Sequence, residues 1–300
     1  MRALVTGSSG FVGKHLVHHL RERDDEVHGI DRERDVTDQR SMREVFEWFR
    51  PDVTYHLAAL THVGDSWDHA EEFTRVNVVG TQRVLDASFG ANPAATTVLV
   101  SSSEVYGVTR PEDQPLRESF RVAPVNPYSA SKVEAERVAH DALRLRGQRV
   151  VIARPFNHLG PGQSATFVVP ALVSRLLEAV ANGDSSIPVG DLTTRRDFSD
   201  VRDVVRAYRL LAEHGVAGEV YNVASGVDVA LRDIADQLVA ELAPEIELIV
   251  DPALLRPVEL PVSRGSAQKI NAATGWTPMI SLSTSLKDVI DDQRERARQT

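Results

Sequence analysis

Tyr128 and Lys132 stand four residues apart in the segment YSASK. On a helix that spacing brings a phenol and an ammonium to one face, one turn apart. A neighbouring ammonium favours the tyrosinate and draws the phenol down from its usual pKa of about 10. Tyr128 is therefore a candidate general acid or base, with Lys132 as its partner. Ala135, Ala139 and Ala142 continue the same face, which places the pair on a packed helix and not on a solvated flank. A second group lies in SSSEVYG, directly after the apolar run TTVLV. Ser102 or a neighbour can there hydrogen-bond a carbonyl or hydroxyl of a bound molecule, while Ser101 and Ser103 read equally well as turn residues.

The elements that position these groups begin at the N-terminal end. Gly7, Gly10 and Gly13, spaced GxxGxxG, separate the apolar run MRALVT from a segment carrying Val12, Leu16, Val17 and Leu20 at helical spacing. Strand, tight glycine turn and helix in that order form a cradle for a pyrophosphate at the helix N-terminus. Asp31 ends the next strand, EVHGID, where an acceptor for a ribose hydroxyl belongs, which favours NAD. Arg32 and Arg34 follow at once and can neutralise the extra phosphate of NADP. The expected cofactor is thus NAD or NADP, and Asp35 is either near the adenine or a plain loop carboxylate.

Strand and helix patterns alternate through SMREVFEWFR, DVTYHLAAL, a long helix FTRVNVVGTQRVLDA, TTVLVSSS, a helix from Tyr128, and RVVIARP. The expected fold is α/β, a doubly wound parallel sheet of the Rossmann type. After Pro155 the rhythm changes: FNHLGPGQ reads as a loop, a helix covers 169–181, and Pro-punctuated segments follow. This divides the chain into an NAD(P)-binding domain over 1–155 and a smaller, mainly substrate-binding lobe over 156–300. Segments near 197–224 return to the first domain.

With 300 residues, 42% hydrophobic and 26% charged, the composition suits a soluble, cytoplasmic enzyme of one or two lobes. No apolar run approaches the roughly 18 residues that a membrane helix requires. A net charge of −9 without a basic block argues against a nucleic-acid partner. There is no cysteine, and none of the ten histidines falls in a compact ligand pattern, so no metal is expected.

Over nearly its whole length the sequence resembles the extended short-chain dehydrogenase/reductase family, nucleotide-sugar branch. Ser102 stands five residues before the glycine of VYG, beside Tyr128 and Lys132, and NVVGT (77–81) and LAALTHV (57–63) also match. The resemblance implies the triad Ser102, Tyr128 and Lys132. It also implies dinucleotide contacts from Gly7, Gly10, Phe11, Val12, Gly13, Asp31, Arg32, Asp35, Val36, Leu57, Ala58, Ala59, Tyr128 and Lys132, the last holding the nicotinamide ribose. The downstream segments RPFNHLGPGQS, VGDLTTRRDFSDVRDVVRAY, GEVYNVASG, LRPVELP and TGWTP are similar to the members that act on GDP-sugars. By that likeness Arg196 and Arg256 grip the diphosphate of a nucleotide-diphosphate sugar, Glu259 a ribose, Asn157 the diphosphate or sugar, and Ser103 the substrate.

The implied reaction is NAD(P)H-dependent reduction of the C4 ketone of a 4-keto-6-deoxy sugar, with Tyr128 donating the proton and Ser102 holding the oxygen. Glu104 raises a rival, since dehydratases of the family carry a carboxylate there to remove the C5 proton. A 4-epimerase is a third alternative, and a non-catalytic dinucleotide-binding regulator lies outside enzymology altogether. The family also implies a homodimer through the helices around 77–87 and Tyr128.

Overall fold

A computed structural model describes residues 1–255, 258 and 260–299. The alternating apolar and amphipathic segments become β1 (Arg2–Thr6), α1 (Phe11–Arg21), β2 (Glu26–Ile30), α2 (Gln39–Phe49) and β3 (Val53–His56). Next come α3 (Ala70–Thr74), a π-turn (Arg75–Val79), α4 (Gly80–Ala91), β4 (Thr96–Val100), α5 (Pro127–Arg146) and β5 (Arg149–Pro155). The second half contains β6 (Asn157–Leu159), α6 (Val168–Asn182), β7 (Ser186–Val189), β8 (Arg195–Asp200), α7 (Val201–His214) and β9 (Val220–Val223). It ends with β10 (Asp228–Ala230), α8 (Leu231–Leu242), β11 (Glu247–Val250), β12 (Val262–Ser263), α9 (Gln268–Thr274) and α10 (Leu282–Gln299).

Six strands pair in parallel in the order β2-β1-β3-β4-β5-β9. The chain turns outward from β1 to β2 and then returns to the other side of β1, so the strand order reverses between β1 and β3. In a doubly wound sheet the crevice beyond the carboxyl ends of the strands at such a reversal is where ligands bind. Both faces are covered, which is why the strands read as near-continuous Val, Leu and Ile. On one face Leu16 and Leu20 of α1 and Val204, Tyr208 and Leu211 of α7 pack over Val5, Tyr55, Val98 and Val151. On the other, Met42 and Phe46 of α2 join Leu4 and Ile30, and Leu85, Ala139 and Ala142 of α4 and α5 join Leu99 and Ile152. Each large side chain so buried contributes about 1.5–3 kcal/mol relative to exposure.

A separate core links α6, α8 and α10 with β7 and β8. Here β8 pairs with β10, β12 and β6, while β7 pairs with β11.

Two elements differ from the sequence expectation. Asn157–Leu159 is a strand and not loop, because it pairs in parallel with Phe198–Asp200. Three residues carry no periodicity of their own, and only the distant partner creates the strand. The long helix predicted over 73–87 is broken by the π-turn at Arg75–Val79. There Asn77 directs its side chain out of the helix to the Leu60 backbone and to Ser131.

Candidate active site

Tyr128 lies in the first turn of α5, whose start is fixed three ways. Asn126 caps it by accepting from the Ser129 amide at 2.8 Å, Ser129 reciprocates towards the Asn126 amide, and Pro127 supplies a preset φ at the first helical position. Asn77 then reaches across from the π-turn. Its Nδ2 donates to Ser131 Oγ at 2.9 Å, and Ser131 donates to the Tyr128 carbonyl at 2.7 Å. The first turn carrying the phenol is thereby tied both to its own cap and to the loop after β3.

The phenol is buried, with Phe73 edge-on to its ring. Burial pushes it up to about 12; a hydrogen bond with Ser102 draws it down, and the charge of Glu104 pushes it further up. Ser102, Glu104 and Tyr128, three of the residues expected at the site, are thus brought together. The predicted fall of the phenol pKa is not met. Desolvation outweighs every other influence on Tyr128, and the Lys132 ammonium donates to the Val100 carbonyl at 2.8 Å. Lys132 is itself buried, which lowers it to about 8 against the opposing charge of Glu136. At neutral pH Tyr128 is therefore a protonated phenol and Lys132, one helical turn on, a charged ammonium.

Ser102 lies two residues beyond β4 and caps the following 3-10 turn, accepting from the Glu104 amide at 3.2 Å. Ser103 is buried in that turn. Ser101 points the other way, donating to Glu136 Oε1 at 2.5 Å.

The glycine turn lies beyond the carboxyl end of β1. Gly7 has φ +72°, and a Cβ there would stand 2.9 Å from the Ala58 amide nitrogen. A Cβ on Gly13 would meet the Gly7 carbonyl oxygen at 2.1 Å, so only glycine lets α1 approach the turn this closely. Gly10 caps α1 without a side-chain acceptor, and the first turn, opening with Phe11 and Val12, contains no acid. These features fit a pyrophosphate seated on the helix N-terminus. The β3 side of the same crevice is Leu57, Ala58 and Ala59, held by bonds from the Leu57 and Ala58 amides to Thr6.

Asp31 accepts from the Ser9 amide at 2.9 Å and from the Arg32 amide at 2.8 Å. Burial pushes its carboxyl up, but these bonds together with the Arg32 charge hold it below the usual range. Arg32 is exposed, and Arg34 lies 3.9 Å from Glu44. Asp35 accepts from the Thr37 amide and hydroxyl and from Arg75 at 3.2 Å, while Val36 is buried against α2 and α4.

In the second lobe Asn157 opens β6, and Arg196 is buried on the adjoining β8, donating to the Leu260 carbonyl at 2.6 Å. Arg256 and Glu259 lie outside the described residues. A cavity of about 400 Å³ is lined by Asp191, Leu192, Thr193, Arg232, Val250 and Leu255. It lies three residues before Arg196 and one before Arg256 in the chain.

The sequence reading missed three contributors. Asn77 positions Tyr128, a role that neither its place in NVVGT nor its being an amide inside an apolar helical run discloses. Buried His56 bridges Thr6 at 2.8 Å and Thr81 at 3.0 Å; burial, then the Lys132 charge, lowers it to about 3, so it is a neutral tie between β1, β3 and α4. Glu136 forms a buried ion pair with Arg154 at 2.6 Å.

The chain is similar to known proteins over nearly its whole length. A GDP-6-deoxy-D-mannose reductase of Pseudomonas aeruginosa is 35% identical over 99% of this chain and 99% of its own. A GDP-6-deoxy-D-talose 4-dehydrogenase of Aggregatibacter actinomycetemcomitans is 35% identical over 90% of each chain. The solved structure of RMD from Pseudomonas aeruginosa complexed with NADPH superposes with a TM-score of 0.90 at 33% identity, covering 99% of this chain and 100% of that one. Among the described residues no helix is long and apolar enough to cross a membrane. The family model described as NAD dependent epimerase/dehydratase matches residues 3–224, which span the glycine turn, the serine turn and the Tyr128 helix, and the chain belongs to that family.

Proposed function

We propose that the chain reduces the C4 ketone of a GDP-linked 4-keto-6-deoxy sugar, with GDP-4-keto-6-deoxy-D-mannose giving GDP-D-rhamnose as the leading case. The observation that carries this reading is the meeting of Ser102 with the buried phenol of Tyr128, which offers a ketone oxygen a proton donor and a second hydrogen-bond donor at one point. The two GDP-sugar relatives support the choice of substrate.

The glycine cradle, Asp31 and the β3 end fit a nicotinamide dinucleotide, NAD(H) or NADP(H); when bound it supplies the hydride. Asp31 suits the ribose hydroxyl of NAD(H), whereas Arg32 beside it suits the additional phosphate of NADP(H). The relative of known structure holds NADPH. Tyr128 donates its proton to the oxygen at C4 as negative charge develops there, and Ser102 hydrogen-bonds the same oxygen. Lys132 keeps a positive charge beneath them. Arg196, with Arg256, grips the diphosphate by charge-assisted bonds, Asn157 and Ser103 hold the sugar side, and Glu259 a ribose. The cavity beside Arg232 is the volume we assign to the nucleotide end.

Glu104 favours a second reading. Its charge reaches the Tyr128 phenol, so a carboxylate stands where a dehydratase would need a base for the C5 proton. One assay separates the two. Incubation with GDP-4-keto-6-deoxy-D-mannose and reduced cofactor is expected to consume the cofactor and yield a 4-hydroxy sugar. Incubation with GDP-mannose and oxidised cofactor is expected to yield no 4-keto product; turnover only in the second would overturn the reductase.

Self-association as a homodimer is part of the same reading. A groove of about 280 Å³ lined by Ala70, Thr74, Val78, Pro127, Ala130, Ser131 and Glu134 runs between α3, the π-turn and α5, a surface of mostly small residues on which a second copy could pack. Light scattering on the eluted protein tests it, and a monomeric mass would refute it.

A further inference from the structure

Glu136 and Arg154 form an ion pair that is buried from solvent on both sides. Arg154 Nε donates to Glu136 Oε1 at 2.8 Å and Nη2 to Oε2 at 2.6 Å, a bidentate fork. A buried pair of this kind is a weak stabiliser, since desolvating two charges offsets most of their attraction. Stability alone therefore gives little reason for it. Its placement gives another. Glu136 is four residues after Lys132, on the same buried face of α5. It also accepts from Ser101, the neighbour both of Ser102 and of Val100, whose carbonyl receives the Lys132 ammonium. Arg154 lies on β5 with its guanidinium 4.9 Å over the ring of Tyr106, which belongs to the 3-10 turn carrying Glu104.

Resting on the reading of Lys132 as the charged partner of Tyr128, we infer that Glu136 and Arg154 are positioning residues that set the charge of Lys132 and hold the serine turn against α5. Glu136 supplies the anion that keeps the buried ammonium charged. Arg154 holds that carboxylate in place and attenuates its field.

The groups around Lys132 leave Glu136 as the anion in question. From α5 itself come Tyr128, a neutral phenol, and Glu136. β3 presents His56, a neutral imidazole engaged by Thr6 and Thr81. β4 presents the Val100 carbonyl, β5 Arg154, and the 3-10 turn Glu104, whose charge acts on Tyr128. α3 packs Phe73 against Tyr128 and keeps Glu71 and Glu72 exposed. The π-turn and α4 turn inward the uncharged Asn77 and Thr81, and the Asp86–Arg146 pair lies at the far end of α5.

The chain has only four lysines, Lys14, Lys132, Lys269 and Lys287, so the ammonium can be followed directly by NMR of protein labelled at the lysine ε-carbon. In the native protein the Lys132 resonance is expected to titrate at about 8. Glu136→Gln removes the anion and is expected to lower that midpoint by about one unit or more. Arg154→Met removes the cation and is expected to raise it. The double variant restores a neutral pair and is expected to return near the native value. The alkaline limb of kcat/KM for ketone reduction should move in the same directions, because reduction needs both the ammonium and the phenol protonated.

A merely structural pair would lower activity in both single variants without moving the titration in opposite directions. A Lys132 midpoint that stays fixed, or that moves the same way in both, overturns the inference. If Glu136→Gln fails to fold, Arg154→Met decides alone by the sign of its shift. Opposed shifts in a protein that reduces no 4-keto sugar would leave this inference standing and refute the reductase reading instead.

Discussion

The two halves of the candidate site are built differently. The dinucleotide half is assembled from regular repeats: the turn after β1, the end of β3 and the start of α5 all lie at the carboxyl edge of one parallel sheet. The sugar-nucleotide half is assembled from short strands, β6, β8, β10 and β12, which exist only because they pair with one another. A parallel sheet covered by helices fixes its edge through many large buried contacts. Strands of two to six residues fix theirs through a few partners, such as the bond from Arg196 on β8 to the Leu260 carbonyl. In the proposed reading chemistry and cofactor belong to the parallel sheet, and substrate choice to the half that can vary without disturbing it.

The sharpest way to break this division is at the phenol. Tyr128→Phe removes the proton donor and leaves the ring packed against Phe73. Turnover is expected to fall by about a hundredfold to ten-thousandfold, with NADPH affinity, read by fluorescence titration, changed little. Retained turnover would remove Tyr128 from the chemistry. Gly13→Ala follows in size. Its Cβ cannot coexist with the Gly7 carbonyl at 2.1 Å, so the turn must open and α1 must shift. Dinucleotide affinity is expected to drop by on the order of tenfold or more, the cost of disturbing a charge-assisted contact of about 1.5–3 kcal/mol. Unchanged affinity would move the cofactor away from this loop.

Arg196→Met tests the other half. Loss of a guanidinium grip on phosphate is expected to raise KM for the sugar nucleotide by roughly tenfold to a hundredfold while NADPH affinity stays as it was. Equal losses in both affinities would show that the halves are not separable in this way.

The same division explains what the sequence discloses. The three glycines, Asp31 and the Tyr128–Lys132 spacing are local patterns, each confined to one turn or one strand end, and all are legible. Long-range consequences are not. Spacing places an ammonium near a phenol, but it does not reveal that burial dominates and raises Tyr128 to about 12. Nor does it reveal that Glu136 on α5 meets Arg154 on β5, since that contact needs the helix laid across the sheet. Asn157–Leu159 resembles a loop until Phe198–Asp200 arrives beside it. Asn77 is the intermediate case, a polar residue at a buried helical position whose partners, Leu60 and Ser131, lie on two other segments.

Asn126→Ala carries the smallest expected effect and sharpens the comparison most finely. Asn126 accepts from the Ser129 amide at 2.8 Å and starts the helix that bears Tyr128. Loss of an N-cap costs about 0.5–2 kcal/mol, which in a chain of this size lowers Tm by a few degrees, roughly 2–4 °C per kcal/mol. Catalysis should respond less. The Tyr128 carbonyl is held separately by Ser131, which Asn77 anchors to the Leu60 backbone, so the phenol keeps its place when the cap is gone. The expected outcome is a lower Tm by calorimetry with kcat within about threefold of native, a loss under roughly 0.7 kcal/mol in the barrier. A tenfold loss of kcat without a fall in Tm would mean that the cap, and not the Asn77 bridge, aligns the phenol. Adding Asn77→Ala to the capless protein then decides between them: the double variant should lose far more turnover than either single change, because only then is the first turn of α5 untethered at both points.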